Sequence, residues 1–516
     1  MRNEQSPPLI AGSMASTFSV TRKHLIFGIC LPLALLLGYL LADVQDPVSV
    51  LIIIGAIFAL SVPLLMKWYH PLLVLTWNMG AFVALPGRPA LWTIFAFLGI
   101  LVLILNRATG DERARFSAVS SLTMPLVAIL VIVIFTAVAT GGINLGIFRS
   151  GEMGGKSYFF VIAAIVGYFV LGSRFIPPER ARFYIGLFFL TGLCAATPRV
   201  AALFGDFALN LVSPFFGPDF DPEYEAGLSF GEIRLRSVAV AGTAAFYWLL
   251  ARHGVSGILN FRQPWWALLA FILLGVGMLG GYRSIGIIMF STFVVLFCLE
   301  GLWRTRAAFA FIGCIAITCV GLIGFADKLP FVMQRTLSFL PLKLDPAVKF
   351  SAEVSSTWRL EMWQHAVTEV PKYLFKGKGY KISMDDIYMV SYSMRQGNAA
   401  NWEGAFTVGD YHNGPLTVLI IFGIYGFAGF LWLIIAGICY LYRVRRDSPP
   451  ELRQINNFLF GTFLVQSVYF LFIYGSFSND LFKFTGILGL SVALNVPYEG
   501  KTAVETAPGL QPSLQS

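Results

Sequence analysis

"HNGPLTVLIIFGIYGFAGFLWLIIAGICYLYRVRR", residues 412–446, holds no charged side chain between His412 and Arg443. The apolar run from Gly414 to Leu441 exceeds the roughly 20 residues a helix needs to cross the hydrocarbon core. Histidine and asparagine bound it at one end, and Arg443, Arg445 and Arg446 at the other. The pattern recurs along the 516-residue chain, which is 57% hydrophobic and only 13% charged. A soluble domain carries roughly 25% charged residues. Lipid offers a backbone amide no hydrogen-bond partner, so each span must satisfy its own polar groups, as a helix does. The fold class is therefore all-α: a polytopic transmembrane helical bundle of about 12–14 spans with a large extracytoplasmic loop containing short helices.

Hydropathy places the spans near 25–42, 48–66, 71–86, 89–106, 120–139, 157–173, 180–196, 237–252, 264–281, 283–302, 307–325, 414–441, 454–474 and 480–496. The third is short, contains Asn78, and is a candidate re-entrant segment. The chain divides into a polar tail (1–20), an N-terminal bundle (21–325), a loop (326–413), C-terminal helices (414–497) and a second polar tail (498–516). The first apolar run, from Leu25, is long enough to remain as a helix, so no cleaved signal peptide is expected.

Charge sets the expected orientation. With the N-terminus in the cytoplasm, 19 of the 37 Lys and Arg residues fall in cytoplasmic segments and 5 in short outer segments. The other 13 lie in two long outer loops, 197–236 and 326–413, which the positive-inside rule does not count. Both termini are then cytoplasmic, and His412 and Arg283 lie at the outer boundary. The net charge of +9 follows from basic cytoplasmic loops facing anionic lipid, so membrane lipids are expected partners and nucleic acid is not. The six cysteines lie in or beside apolar runs with no CxxC pair, and read as small apolar residues.

Three stretches carry candidate chemistry. In "SSTWRLEMWQHAVTEVPKYLFKGKGY", residues 355–380, apolar residues recur at helical spacing, with Ser355, Ser356 or Thr357 as N-cap and Pro371 as the stop. Arg359 and Trp363 share one face at i, i+4. Taken alone, this is an ordinary interfacial helix with a snorkelling arginine. In "GMLGGYRSIGIIMF", residues 277–290, Arg283 follows two glycines and opens a span. Such a charge is either an anchor or a functional group held against the bundle. The third is His412-Asn413, one of five histidines, at the doorstep of a span. Weaker signals are Asp219-Phe220-Asp221, which spells a metal-binding DxD without a nucleotide-binding domain, Gly377-Lys378-Gly379, which lacks P-loop spacing and reads as a turn, and the loop pair Asp385-Asp386.

Together, Arg359-x-x-x-Trp363 followed by a proline and a glycine-rich turn, His412-Asn413-x-x-Leu416 entering a span with Gly423 and Gly426, and Tyr282-Arg283-Ser284 resemble the O-antigen ligase/polymerase superfamily of bacterial envelope glycosyltransferases. The resemblance covers residues 230–445 best. An Asn-Pro-Asn-like turn found in many members is replaced here by "RLRSVAVAGTAAFYWLL". The resemblance implies an enzyme of the bacterial inner (plasma) membrane that moves a glycan from an undecaprenyl-diphosphate carrier to a hydroxyl of a lipid or glycan acceptor. Arg283 and Arg359 would stabilise the departing diphosphate, with Arg234 and Arg236 as further phosphate contacts. His412 would take the acceptor proton, with Asn413 and Trp363 lining the substrate site. Attack opposite the diphosphate would invert the anomeric centre, with neither metal nor cofactor. A repeat-unit polymerase uses the same donor, and no residue separates it from a ligase. A transporter is the rival of another class, but it tends to carry midplane charges and matched broken spans.

Overall fold

The computed structural model describes residues 65–83, 88–108, 119–140, 154–216, 235–260, 262–382 and 402–496, with isolated helical positions at 31–38 and 388–392. The chain forms two units, residues 1–67 and 68–516. The first is described only at a few helical positions. The predicted spans 25–42 and 48–66, both tails, Asp219, Asp221, Arg234, Asp385 and Asp386 lie essentially outside the described residues.

The second unit is a helical bundle. Its elements are α1 (Leu91–Ala108), α2 (Ser120–Thr140), α3 (Gly155–Leu171), α4 (Pro178–Ala202, passing through one 3₁₀ stretch), α5 (Asp206–Phe216), α6 (Arg236–Ile258), α7 (Trp265–Met278), α8 (Arg283–Leu299), α9 (Arg306–Phe325), α10 (Phe331–Thr336), α11 (Pro346–Tyr373), α12 (Glu403–Thr407), α13 (Gly414–Arg446), α14 (Pro450–Phe472) and α15 (Phe477–Asn495). Among the described residues, six helices are long and apolar enough to cross a membrane, and α3, α7 and α8 are shorter apolar helices. The protein is an all-α polytopic membrane protein.

The core lies around α15, which is buried along almost its whole length and packs chiefly on α3. Small residues permit the close approach: Gly486 of α15 and Gly167 of α3 both face the buried Trp77 ring. Trp77 also donates its indole N–H to the Phe482 carbonyl (3.2 Å). By contrast α9 buries no residue and exposes Phe309, Ile317 and Val320, as a helix that is apolar all round does against lipid.

Hydrogen bonds between helix ends sort the bundle into two poles. At one, Arg445 reaches Asn457 and the Leu299 carbonyl, Asn456 pairs with Asn495, and Gln454 reaches the Ala251 carbonyl. At the other, Thr336 reaches the Met278 carbonyl, Thr417 the Gly475 carbonyl, and the Tyr380 amide the Tyr158 hydroxyl. Arg283, Arg359 and His412 all belong to this second pole.

Two sequence expectations change. The segment 71–86, a candidate re-entrant stretch, is helical to Thr76, after which residues 77–83 turn and run irregularly. Asn78 anchors that break by donating to the Phe188 carbonyl (2.9 Å), so non-helical backbone is tolerated where it is buried in protein. The loop helix begins ten residues before Ser356: α11 starts at Pro346 with Asp345 as its cap, whose carboxylate accepts the Ala347 amide (2.7 Å). Asp followed by Pro at the first helical position is the stronger start signal. Pro371 sits within the last turn instead of ending the helix.

Two helices are broken at glycine. Gly423 (φ 69°, ψ −169°) interrupts α13, and Gly254 (φ 63°, ψ 175°) interrupts α6. At Gly423 the Leu374–Gly379 segment replaces the lost helical bonds. Lys378 and Gly379 amides donate to the Ile420 and Ile421 carbonyls (2.8 and 3.0 Å), and the Ile424 amide donates to the Leu374 carbonyl (2.7 Å). The Gly-Lys-Gly turn is thus stitched into a membrane helix. At Gly254 the Glu300 carboxylate accepts the Val255 and Ser256 amides (2.8 and 2.7 Å).

Candidate active site

The site is built where α8, α11, the 410–413 segment and the turn between α14 and α15 meet. Arg283 is the first residue of α8, after Gly281 in a left-handed conformation (φ 66°). Its guanidinium donates to the Ser356 hydroxyl (3.2 Å), and that hydroxyl donates to the Ala352 carbonyl (2.9 Å). Ser356, taken from sequence as a cap candidate, instead orients an arginine.

Arg359 lies one turn further along α11 and is half-buried. Its guanidinium sits 5.5 Å from the Trp358 ring centroid, and it is close enough to Arg283 for each charge to act on the other. Arg283 thus stands at the N-terminus of α8, where the macrodipole already disfavours positive charge, with a second cation within electrostatic reach. Among the described residues no carboxylate pairs with Arg283. Such a pole suits an anion with several oxygens.

His412 closes the other side. Its ring is packed edge-on between Trp358 and Tyr474, 5.2 Å from each. The residue adopts φ 51°, an uncommon conformation for a side chain of this size. The surroundings enforce it. The His412 amide donates to the Asp410 carboxylate (3.2 Å), and Nδ1 lies 3.1 Å from the Asp410 carbonyl. A carbonyl only accepts, so Nδ1 carries the proton, which leaves Nε2 as the acceptor.

The neighbouring site residues act on this segment. Trp363 donates its indole N–H to the Tyr411 carbonyl (2.8 Å), pinning the 410–412 backbone to α11. Asn413 is the N-cap of α13, its side-chain oxygen accepting the Leu416 amide (3.0 Å). Both fix where His412 stands. Arg236 opens α6 at the same pole but is exposed.

Three groups that the motifs did not flag complete the site. Asp410 is partly buried; desolvation pushes its carboxyl above the ordinary carboxylate range, against the pull of His412 and Arg359. Asp480 is buried, accepts the Ser476 amide (2.8 Å) and pairs with Lys483 (2.7 Å). Tyr474 is kept a neutral phenol by burial and by the nearby Asp410 and Asp480 carboxylates. The signals were present in sequence: Asp410 is two residues from His412, and Asp480 is a carboxylate at the edge of an apolar run.

Residues 268–431 match the model of the O-antigen ligase family. Over this segment the chain is similar to that family, which supports the resemblance to the O-antigen ligase/polymerase superfamily. The matched stretch is about a third of the chain, and it contains Arg283, Arg359, Trp363, Asp410, His412 and Asn413. Tyr474 and Asp480 come from beyond it. No curated protein matches the chain. The match supports reading the chain as an O-antigen ligase/polymerase-type membrane enzyme.

Proposed function

We propose that the protein transfers a glycan from an undecaprenyl-diphosphate carrier to an acceptor hydroxyl on the extracytoplasmic side, without metal and with inversion. The observation that carries this reading is the pairing of two arginines, held within electrostatic reach of each other, with an imidazole whose Nε2 is free to accept a proton. The difficult step is the departure of the diphosphate, on which negative charge develops as the anomeric C–O bond breaks. Arginines already in place stabilise that charge without reorganising at the moment of reaction. Their planar forks match phosphate oxygens in pairs.

The acceptor oxygen forms the new bond to the anomeric carbon from the opposite face. Its proton passes to His412 Nε2, and the electron pair of the broken bond leaves on undecaprenyl diphosphate. The carrier tail occupies the lipid phase beside the bundle while its diphosphate meets the arginine pole. This arrangement explains why the reactive groups stand at helix ends rather than at mid-bilayer.

The test is reconstitution. Purified protein in EDTA, given lipid-linked glycan and separately offered lipid A-core or a glycan acceptor, is expected to release undecaprenyl diphosphate and glycosylate one of them. The acceptor that is used assigns ligase or polymerase. Movement of lipid-linked glycan across a vesicle membrane with no transfer to either acceptor would instead favour a transporter.

A further inference from the structure

We propose that Asp410 is a positioning residue for the transfer: its carboxylate holds His412 in the productive orientation and stabilises the imidazolium formed when Nε2 takes the acceptor proton. The inference rests on the reading of His412 as proton acceptor. It adds a residue that the motifs shared with the superfamily do not include.

Geometry carries it. One carboxylate oxygen of Asp410 accepts the His412 backbone amide at 3.2 Å and stands 3.5 Å from the ring Nδ1. The Asp410 carbonyl accepts from the same Nδ1 at 3.1 Å. A single residue therefore secures both the main chain and the ring. The amide bond stabilises the left-handed turn at φ 51°, and the carbonyl fixes the tautomer that leaves Nε2 open. The carboxylate then supplies the counter-charge when the ring becomes cationic, the logic by which an acidic residue orients and supports a histidine base.

Burial strengthens the effect, because charge interactions grow where water is scarce. The other charged or titratable groups facing this pair are Arg359 from α11, the Tyr380 phenol from the segment that follows α11, Tyr474 from the turn before α15, and Asp480 with its partner Lys483 from α15. Arg359 opposes a positive ring and Asp480 is already neutralised by Lys483. Asp410 is thus the carboxylate closest to hand for the imidazolium.

Asp410→Asn preserves an oxygen that can accept the His412 amide and removes only the charge. The expected result is a fall in the transfer rate of about 10- to 100-fold, the range typical for removing the partner that orients a functional histidine. The acid limb of the pH–rate profile should also move to lower pH, since the protonated ring has lost its anionic neighbour. Asp410→Glu, which restores charge with an extra methylene, should recover part of the rate. A slow variant with an unmoved acid limb would show a merely structural role and overturn the proposal.

A second measurement does not depend on turnover. Wild-type protein labelled at its histidine nitrogens, with His412→Gln used to assign the resonance, should show His412 as the Nδ1–H tautomer. The Nε2–H tautomer would overturn the proposal even if the variants fail to fold. Full transfer by His412→Gln would refute the proton-acceptor reading itself, and is distinguishable because it leaves the tautomer result standing.

Discussion

Gly423→Ala tests the splice that joins the loop to the membrane helix. Gly423 has φ 69° and ψ −169°, a region of backbone space that is essentially restricted to glycine. A Cβ there would stand 2.6 Å from the Leu374 carbonyl oxygen, with the Leu374 and Phe375 carbonyl carbons each at 3.3 Å. All three obstacles are backbone, so no side chain can rotate away. Strained backbone costs about 1–3 kcal/mol. Displacing the Leu374–Gly379 segment also puts at risk three hydrogen bonds to the split helix, each with a net value of about 0.5–1.5 kcal/mol. The expected destabilisation is about 1–3 kcal/mol if the splice holds and about 2.5–7.5 kcal/mol if all three bonds are lost as well.

The consequence reaches the site, because the segment continues directly from α11, which carries Arg359 and Trp363. Thermal inactivation rates in detergent or nanodiscs, measured alongside transfer, check the reasoning. Gly423→Ala should inactivate faster and transfer more slowly than wild type. Gly275→Ala is the control: its added Cβ meets nothing within 4 Å and its backbone is ordinary helix. Equal stability of the two variants, with full transfer by both, would refute the account of the broken helix.

Further expectations concern the residues that hold His412. Trp363→Phe removes the indole N–H that reaches the Tyr411 carbonyl; it should cost about 1 kcal/mol and lower kcat more than it raises KM, as steady-state kinetics would show. Asn413→Ala removes the cap of α13 and should cost about 1 kcal/mol, with Asn413→Asp or Asn413→Ser recovering most of it in the same thermal assay. The raised carboxyl of Asp410 gives a stability–pH prediction. A carboxyl whose folded value lies above its unfolded one contributes stability below the ordinary carboxylate range and loses it as pH rises through the raised value. Asp410→Asn should therefore gain thermal stability over wild type at neutral pH, and show less of that gain in acid, while losing activity.

Most of the bundle was legible because hydropathy is a sum over many residues. The predicted spans from 89 to 325 and from 414 to 496 each coincide with a described helix to within a few residues at most ends. The extension of α13 to Arg446 escaped the apolar criterion because its last turn is basic. What hydropathy missed was backbone rescued by tertiary contacts. Neither the unwinding after Thr76 nor the break at Gly423 can be read without Asn78 meeting Phe188 or Leu374 meeting Ile424.

The site followed the same division. Arg283 and His412 were marked by charge or rarity at span ends, and Arg359 by sharing a face with Trp363 on the loop helix. Ser356 and Tyr474 act through partners distant in the chain: Arg283 is 73 residues from Ser356, and the Tyr474 ring meets a histidine from another element. Asp410 was adjacent in sequence, yet its value depends on the left-handed turn that folds its carboxylate back onto His412.

The single-turnover rate of glycan transfer from saturating lipid-linked donor, in EDTA, tests the central claim most directly. Arg283→Ala, Arg359→Ala and His412→Gln should each slow that step by about 100- to 1,000-fold, the loss found when a preorganised charge-stabilising donor is removed, and chelator should leave the wild type unaffected. Wild-type rates in either arginine variant, or loss of wild-type transfer on chelation, would contradict it.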